Sequence, residues 1–208
     1  MIRIIIADDH ALVRAGLKRI LAQVPDFEVV GEAANGSEVL DCVRDKFFDV
    51  LLLDLSMPGI SGADLIARVR ANREIPILVV SMHSEPYLAA RVLRAGASGY
   101  ITKDCDPEIL IGAIRKVAAN GNYITPELAE KLVFDKSSPQ RALHTRLSDR
   151  ESEVLFLLVN GKSVNEIAMQ LSISNKTVST HKVRLMEKLN LSNMAELMRY
   201  TMDNSSNV

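Results

Sequence analysis

Tryptophan is absent from the 208 residues, aromatic side chains make up 4%, and cysteine occurs only twice. Two cysteines, Cys42 and Cys105, cannot build a disulfide framework, and their spacing matches no zinc motif. No apolar run approaches the ~20 residues that a membrane-spanning helix needs. The longest, such as Val50–Leu53, have the length of a strand. The first residues carry no signal-peptide pattern. A reduced, cytoplasmic protein without a membrane partner is therefore expected. A surplus of charge is missing as well: 25 Lys and Arg stand against 26 Asp and Glu, a net charge of −1. This excludes a chain that attracts polyanions by bulk charge. Even residues 147–208 are neutral, with 7 basic against 7 acidic side chains. Within them, however, Lys176, Lys182, Arg184 and Lys188 face a single acid, Glu187. A local basic stripe of this kind is what phosphate contact requires.

What the chain does contain is two halves with different periodicity. Up to about residue 120, short β-rich runs alternate with amphipathic segments. Arg3–Ala7, Glu28–Glu32, Val50–Leu53, Ile77–Val80 and Gly99–Thr102 read as strands. Several are apolar without alternation, as parallel strands covered on both faces must be. The segments near Leu12–Gln23, Ser37–Lys46, Ala63–Ala71, Pro86–Ala95 and Pro107–Asn120 read as helices. Five strand–helix units predict an α/β doubly wound, parallel five-stranded sheet. In such sheets ligands gather at the carboxyl ends of the strands.

Residues 121–146 read as a linker with a possible helix over 126–134, and 135–141 as its exposed part. From Leu147 to the end, residues 147–208 predict an all-α, four-helix domain. Ser148–Glu151 and Ser163–Glu166 have capping-box spacing, Ser174 suits a third helix start and Asn193–Glu196 a fourth. Gly161 sits where a left-handed residue would end the first of these helices.

The chemistry of the first half follows from where its strands end. Asp8 and Asp9 end the first strand and Asp54 the third, so three carboxylates are expected to converge. Carboxylates that close repel one another, and a hard divalent cation with oxygen ligands relieves the repulsion. Mg²⁺ fits, with Mn²⁺ as its alternative. Lys103 at the end of the fifth strand brings a cation to the same edge, and Ser81 at the end of the fourth brings a hydroxyl. Carboxylates, a divalent cation, a lysine and a hydroxyl together make a phosphoryl site in which a carboxylate can be the nucleophile. His10 follows the acidic pair, but two acids and a histidine in a row do not by themselves define a zinc site.

Asp8–Asp9, Asp54, the Ser56–Met57–Pro58–Gly59 loop, Ser81, Tyr100 and Lys103 resemble, in order and spacing, the receiver domain of bacterial response regulators, a flavodoxin-like fold. The likeness covers residues 2–120. It implies that Asp54 accepts phosphate from a sensor histidine kinase. It implies that Asp9, Asp54 and the Ser56 carbonyl hold Mg²⁺ with Asp8 acting through water, and that Lys103 holds the phosphoryl group. Ser81 and Tyr100 would form a switch pair, Ser81 moving toward the phosphate and Tyr100 turning inward. Ser56 and His83 would occupy positions at which receivers vary their dephosphorylation rate; His83 itself reads as an exposed loop residue.

Residues 163–189 read as helix, turn at Ser172–Ser174, helix. Val164, Ile167, Ala168 and Leu171 form one buried stripe; Val178, Leu185 and Leu189 form the next. At about 100° per residue, Lys176, Thr180, Val183, Arg184 and Glu187 share the opposite face. That face suits a major groove: hydroxyls and lysines for phosphates, Arg184 for phosphate or guanine, Val183 for a thymine methyl. Leu147–Glu151, Ile167–Ala168 and Lys176–His181 resemble the LuxR-type output domain of the NarL/FixJ response regulators. The likeness implies that Asn175–Leu189 enters the major groove of promoter DNA, with Ser179, Thr180 and Val183 facing bases; Lys176, Thr177, Lys182, Arg184 and Lys188 are the further contacts expected from this helix. It also implies a homodimer on phosphorylation, with Leu197 and Met198 of the last helix at its interface.

The whole chain then reads as a DNA-binding transcription regulator of a two-component system, not a dedicated enzyme. One alternative is a regulator that binds DNA independently of phosphorylation. Another is a phosphatase of the haloacid dehalogenase type, but its nucleophile belongs to an Asp-x-Asp motif where this chain has Asp8–Asp9–His10, and no substrate-capping insertion is visible.

Overall fold

The computed structural model describes residues 1–82, 86–134, 147–159, 161–171, 173–189 and 191–205, without the side chains of 133, 134, 149, 153 and 200–205. His83, the stretch 135–141 and Ser172 of the expected turn lie outside the described residues. The chain forms two compact units, Met1–Val133 and Phe134–Val208.

In the first unit β1 (Ile2–Ala7), β2 (Phe27–Ala33), β3 (Val50–Leu53), β4 (Ile77–Ser81), β5 (Gly99–Thr102) and β6 (Tyr123–Ile124) alternate with helices. The helices are α1 (Ala11–Leu21), α2 (Gly36–Asp45), α3 (Gly62–Asn72), α4 (Pro86–Arg94), α5 (Pro107–Ala118) and α6 (Pro126–Phe134). All strand pairs are parallel, in the order β2-β1-β3-β4-β5-β6. The expected sheet of five strands is thus corrected to six. Tyr123 and Ile124, read from the sequence as linker, pair with Gly99 and Tyr100. Two residues are too few to display a strand's alternation.

Successive residues of each parallel strand point to opposite faces, so both faces must be apolar. Ile5, Leu51, Leu53, Ile77 and Val79 pack with α2, α3 and α4 on one side. Ile4, Ile6, Val50, Leu52, Leu78 and Val80 pack with Leu21, Leu110, Ala113, Ile114 and Val117 on the other. These strand residues are between 0% and 4% exposed. Each of the larger ones contributes about 1.5–3 kcal/mol by leaving water. The strand order reverses direction at β1, which lies between β2 and β3. Crevices at such a reversal open at the carboxyl ends of the strands.

The second unit is helical among its described residues: α7 (Asp149–Val159), α8 (Val164–Gln170), α9 (Asn175–Leu189) and α10 (Met194–Ser205). Its four starts are capped as their spacing predicts. The Ser163 hydroxyl accepts from the Glu166 N–H while the Glu166 carboxylate accepts from the Ser163 N–H. Ser148 and Glu151 repeat the exchange. Ser174 Oγ accepts from Thr177 N–H, and Asn193 Oδ1 from Glu196 N–H. Gly161 has φ of 77°, a left-handed conformation that carries a steric cost for residues with a Cβ. Its N–H bonds the Leu158 carbonyl and that of Lys162 bonds the Leu157 carbonyl, closing the helix end. Val154, Leu158, Ile167, Val178, Leu185, Leu189 and Leu197 meet in one apolar core.

Candidate functional site

Asp8 follows directly on β1 and Asp54 on β3. The sheet ladder sets both: Asp8 N–H bonds the Ala33 carbonyl at 3.0 Å, and Asp54 N–H bonds the Ala7 carbonyl at 2.8 Å. Lys103, following β5, reaches across the strand ends. Its Nζ lies 2.6 Å from Asp8 Oδ2 and 3.2 Å from Asp54 Oδ1. All three side chains are buried, Asp8 and Asp54 at 2% exposure and Lys103 at 8%.

Three carboxylates and one ammonium leave this edge negative. Asp9 and His10 complete the cluster: ligand atoms of Asp8, Asp9, His10 and Asp54 all lie within 4.8 Å of one another. Burial pushes the Asp54 carboxyl up; Lys103 opposes this and Asp8 reinforces it, and the balance raises Asp54 to about 6. Asp54 Oδ2 and Asp9 Oδ1 are buried and accept no hydrogen bond among the described residues. A buried charged oxygen without a partner is costly. Hard oxygen donors left open in this way fit a divalent cation.

Ser81 is the last residue of β4, and its carbonyl accepts from Lys103 N–H at 2.7 Å. Ser56 lies in the loop after β3, half-buried. Tyr100 is fully buried among the residues packed against α2, α3 and α4. The ring therefore stands in the inward position that the resemblance assigns to the switched form. Arg14 was not singled out from the sequence. Its Nη1 donates to the Asp8 carbonyl at 2.7 Å and its Nε to Glu32 at 3.1 Å, fixing the backbone behind the acidic pair.

On α9, Lys176, Ser179, Thr180, Val183 and Arg184 are exposed, and Thr177 and Lys182 are half-buried. Val178, Leu185 and Leu189 face the core. The Thr180 hydroxyl donates to the Lys176 carbonyl at 2.9 Å. Lys188 is engaged elsewhere: its Nζ lies 2.6 Å from Glu151 Oε2, joining α9 to α7. Burial pushes Glu151 up, but its bonds from Lys188 and Ser148 outweigh this and hold the carboxyl below its ordinary value. Phosphate contact by Lys188 would compete with this partner. The sequence placed Glu151 as the cap partner of Ser148 but not as the partner of Lys188, which stands 37 positions away. Of the two residues expected at a dimer interface, Leu197 is fully buried in the core of its own unit. It supports α10 from beneath, and only half-buried Met198 remains near the surface.

Residues 4–115 match the family described as the response regulator receiver domain, and residues 145–201 the bacterial regulatory proteins of the luxR family. The chain is 36% identical over 200 residues to the response regulator UvrY of Escherichia coli K12, covering 95% of this chain and 92% of UvrY. It is 38% identical over 203 residues to the transcriptional regulatory protein UhpA of the same strain, covering 98% and 99%. Among solved structures, RcsB of Salmonella enterica serovar Typhimurium, bound to promoter rprA in the presence of phosphomimetic BeF3-, matches with a TM-score of 0.61 and 32% identity. That match covers 99% of this chain and 98% of RcsB.

Proposed function

Since the chain belongs to the NarL/FixJ family of two-component response regulators, a receiver joined to a LuxR-type DNA-binding domain, we propose that Asp54 is its phosphoacceptor and α9 its DNA-reading helix. The protein is a DNA-binding transcription regulator and not a dedicated enzyme. A sensor histidine kinase is the phosphodonor. An Asp54 carboxylate oxygen attacks the phosphorus of the kinase phosphohistidine. The new O–P bond forms as the N–P bond breaks, and the imidazole leaves with the electron pair and takes up a proton. With its carboxyl raised only to about 6, Asp54 is mainly anionic at neutral pH and retains its nucleophilic lone pairs.

Lys103, 3.2 Å from Asp54 Oδ1, is within reach of an oxygen of the incoming phosphoryl group and balances its charge. Asp8, Asp9, Asp54 and the Ser56 carbonyl would hold Mg²⁺, which when bound neutralises charge on the transferring group. Ser81 and Tyr100 serve as the switch pair. With Tyr100 already packed inside, the change on phosphorylation reduces to Ser81 closing on the phosphate and locking a ring that is in place.

The switched form pairs on promoter half-sites. Lys176, Thr177 and Lys182 contact phosphates, while Ser179, Thr180, Val183 and Arg184 meet base edges. The observation that carries this reading is the meeting of Asp8, Asp54 and Lys103 at contacts of 2.6 and 3.2 Å, from three separate strands. Labelling of the full chain by a small acyl phosphate should require Mg²⁺ and vanish in Asp54→Asn. Undiminished labelling of that variant overturns the assignment.

A further inference from the structure

We propose that His10 is a further protein ligand of the acidic site and makes it prefer a nitrogen-seeking cation, Mn²⁺, Co²⁺ or Zn²⁺, over Mg²⁺. The inference rests on the divalent-cation site described above and adds a residue and a selectivity to it. His10 occupies the N-cap of α1, where Ser, Thr, Asp or Asn ordinarily accepts a hydrogen bond from the first turn. Its ring makes no such bond. The ring turns to the carboxylates instead: Nδ1 lies 2.8 Å from Asp9 Oδ1 and 3.4 Å from Asp8 Oδ1. The contact has the distance of an ion pair but not the direction of a hydrogen bond, since Asp9 Oδ1 accepts none. The His10 backbone N–H separately donates to Asp8 Oδ1 at 2.8 Å, which fixes the turn that presents the ring.

Donors bound about 2.1 Å from one cation at right angles stand about 3.0 Å apart. Separations of 2.8 and 3.4 Å bracket that edge length. Lys103 occupies Asp8 Oδ2 and approaches Asp54 Oδ1. Asp54 Oδ2, buried and unpartnered, and Asp9 Oδ1 stay open beside Nδ1. A pure oxygen set suits Mg²⁺, whereas one imidazole shifts preference along the Mn²⁺, Co²⁺, Zn²⁺ direction. Occupancy of the phosphoacceptor site then depends on the supply of these ions as well as on Mg²⁺.

The test is titration of the full chain with MgCl2, MnCl2 and CoCl2, following Mn²⁺ by electron paramagnetic resonance and Co²⁺ by its visible spectrum. His10→Asn keeps a good helix cap, so the fold is retained. The parent should bind Co²⁺ and Mn²⁺ more tightly than Mg²⁺. His10→Asn should lose about tenfold or more in Co²⁺ affinity with Mg²⁺ affinity within about twofold. Asp9→Asn should weaken all three ions. An unchanged Co²⁺-to-Mg²⁺ ratio in His10→Asn overturns the role of His10 and leaves the site reading intact. Co²⁺ binding undiminished by Asp9→Asn means that the ion sits elsewhere, which also overturns the proposal. Absence of any Mg²⁺ binding to the parent overturns the underlying site, and this inference with it.

Discussion

Replacing Asp54 with Asn should stabilise the metal-free protein at neutral pH, although it removes the proposed phosphoacceptor. Asp54 is 2% exposed, and its carboxyl is raised from 3.8 to about 6. A folded-state value above the unfolded one means that the folded chain binds the proton more tightly. Stability is therefore greatest below the unfolded value, declines as pH rises from about 4 to about 6, and carries the full cost above that. Two pH units correspond to about 3 kcal/mol at pH 7.5. Asn removes this cost but also deprives Lys103 of one neighbour, while its contact of 2.6 Å with Asp8 remains. A net gain of about 1–2 kcal/mol follows, or a rise of roughly 3–8 °C in the transition of the Met1–Val133 unit. Circular dichroism melts of both full-length proteins in chelator, at pH 7.5 and pH 5, measure it. The gap should shrink at pH 5, where the parent carboxyl is largely protonated. It should shrink again in millimolar Mg²⁺, which binds and stabilises the parent preferentially. A variant melting at or below the parent in chelator at pH 7.5, or an equal gap at both pH values, refutes the reasoning.

Three further outcomes concern the second unit. Lys188→Ala should destabilise it by about 1–3 kcal/mol by stranding buried Glu151. Because the folded-state value of Glu151 is depressed, that penalty should be present above pH 4.5 and fade as acid protonates the carboxylate, which paired melts will check. Arg184→Ala should weaken binding to promoter DNA and reduce the slope of log affinity against log salt, measured by anisotropy, whereas Lys188→Ala should leave that slope unchanged. Leu197→Ala should cost about 2–5 kcal/mol in chemical unfolding as a core truncation; a loss of dimerisation with unaltered stability would contradict its burial.

The acidic centre was legible because parallel strands all end at one edge. Once Arg3–Ala7, Val50–Leu53 and Gly99–Thr102 are read as strands, Asp8, Asp54 and Lys103 have nowhere else to go. The helix caps were equally legible, since Ser163 and Glu166 carry their pairing in their spacing. Elsewhere the deciding partner is remote or the signal too short. Glu151 reads as a helix cap and Lys188 as a phosphate contact, and nothing pairs them until α7 and α9 pack together. Leu197 sits on a stripe that suits a partner or a core alike, and only the position of α10 against Val154 and Leu158 decides. Tyr100 lies in an apolar strand whose sequence does not tell which way the ring is turned. His10 has a neutral reading in the chain and gains its interest only from the direction of its ring.

The sixth strand has a mechanical consequence. Residues 123 and 124 are stitched to Gly99 and Tyr100, with Tyr123 N–H also holding the Ser98 carbonyl at 3.0 Å. The polypeptide leaving the sheet is thus tied to the strand that carries Lys103 at its tip. Under the proposed phosphorylation of Asp54, a pull on Lys103 would reach the exit of the chain through peptide bonds and a short ladder.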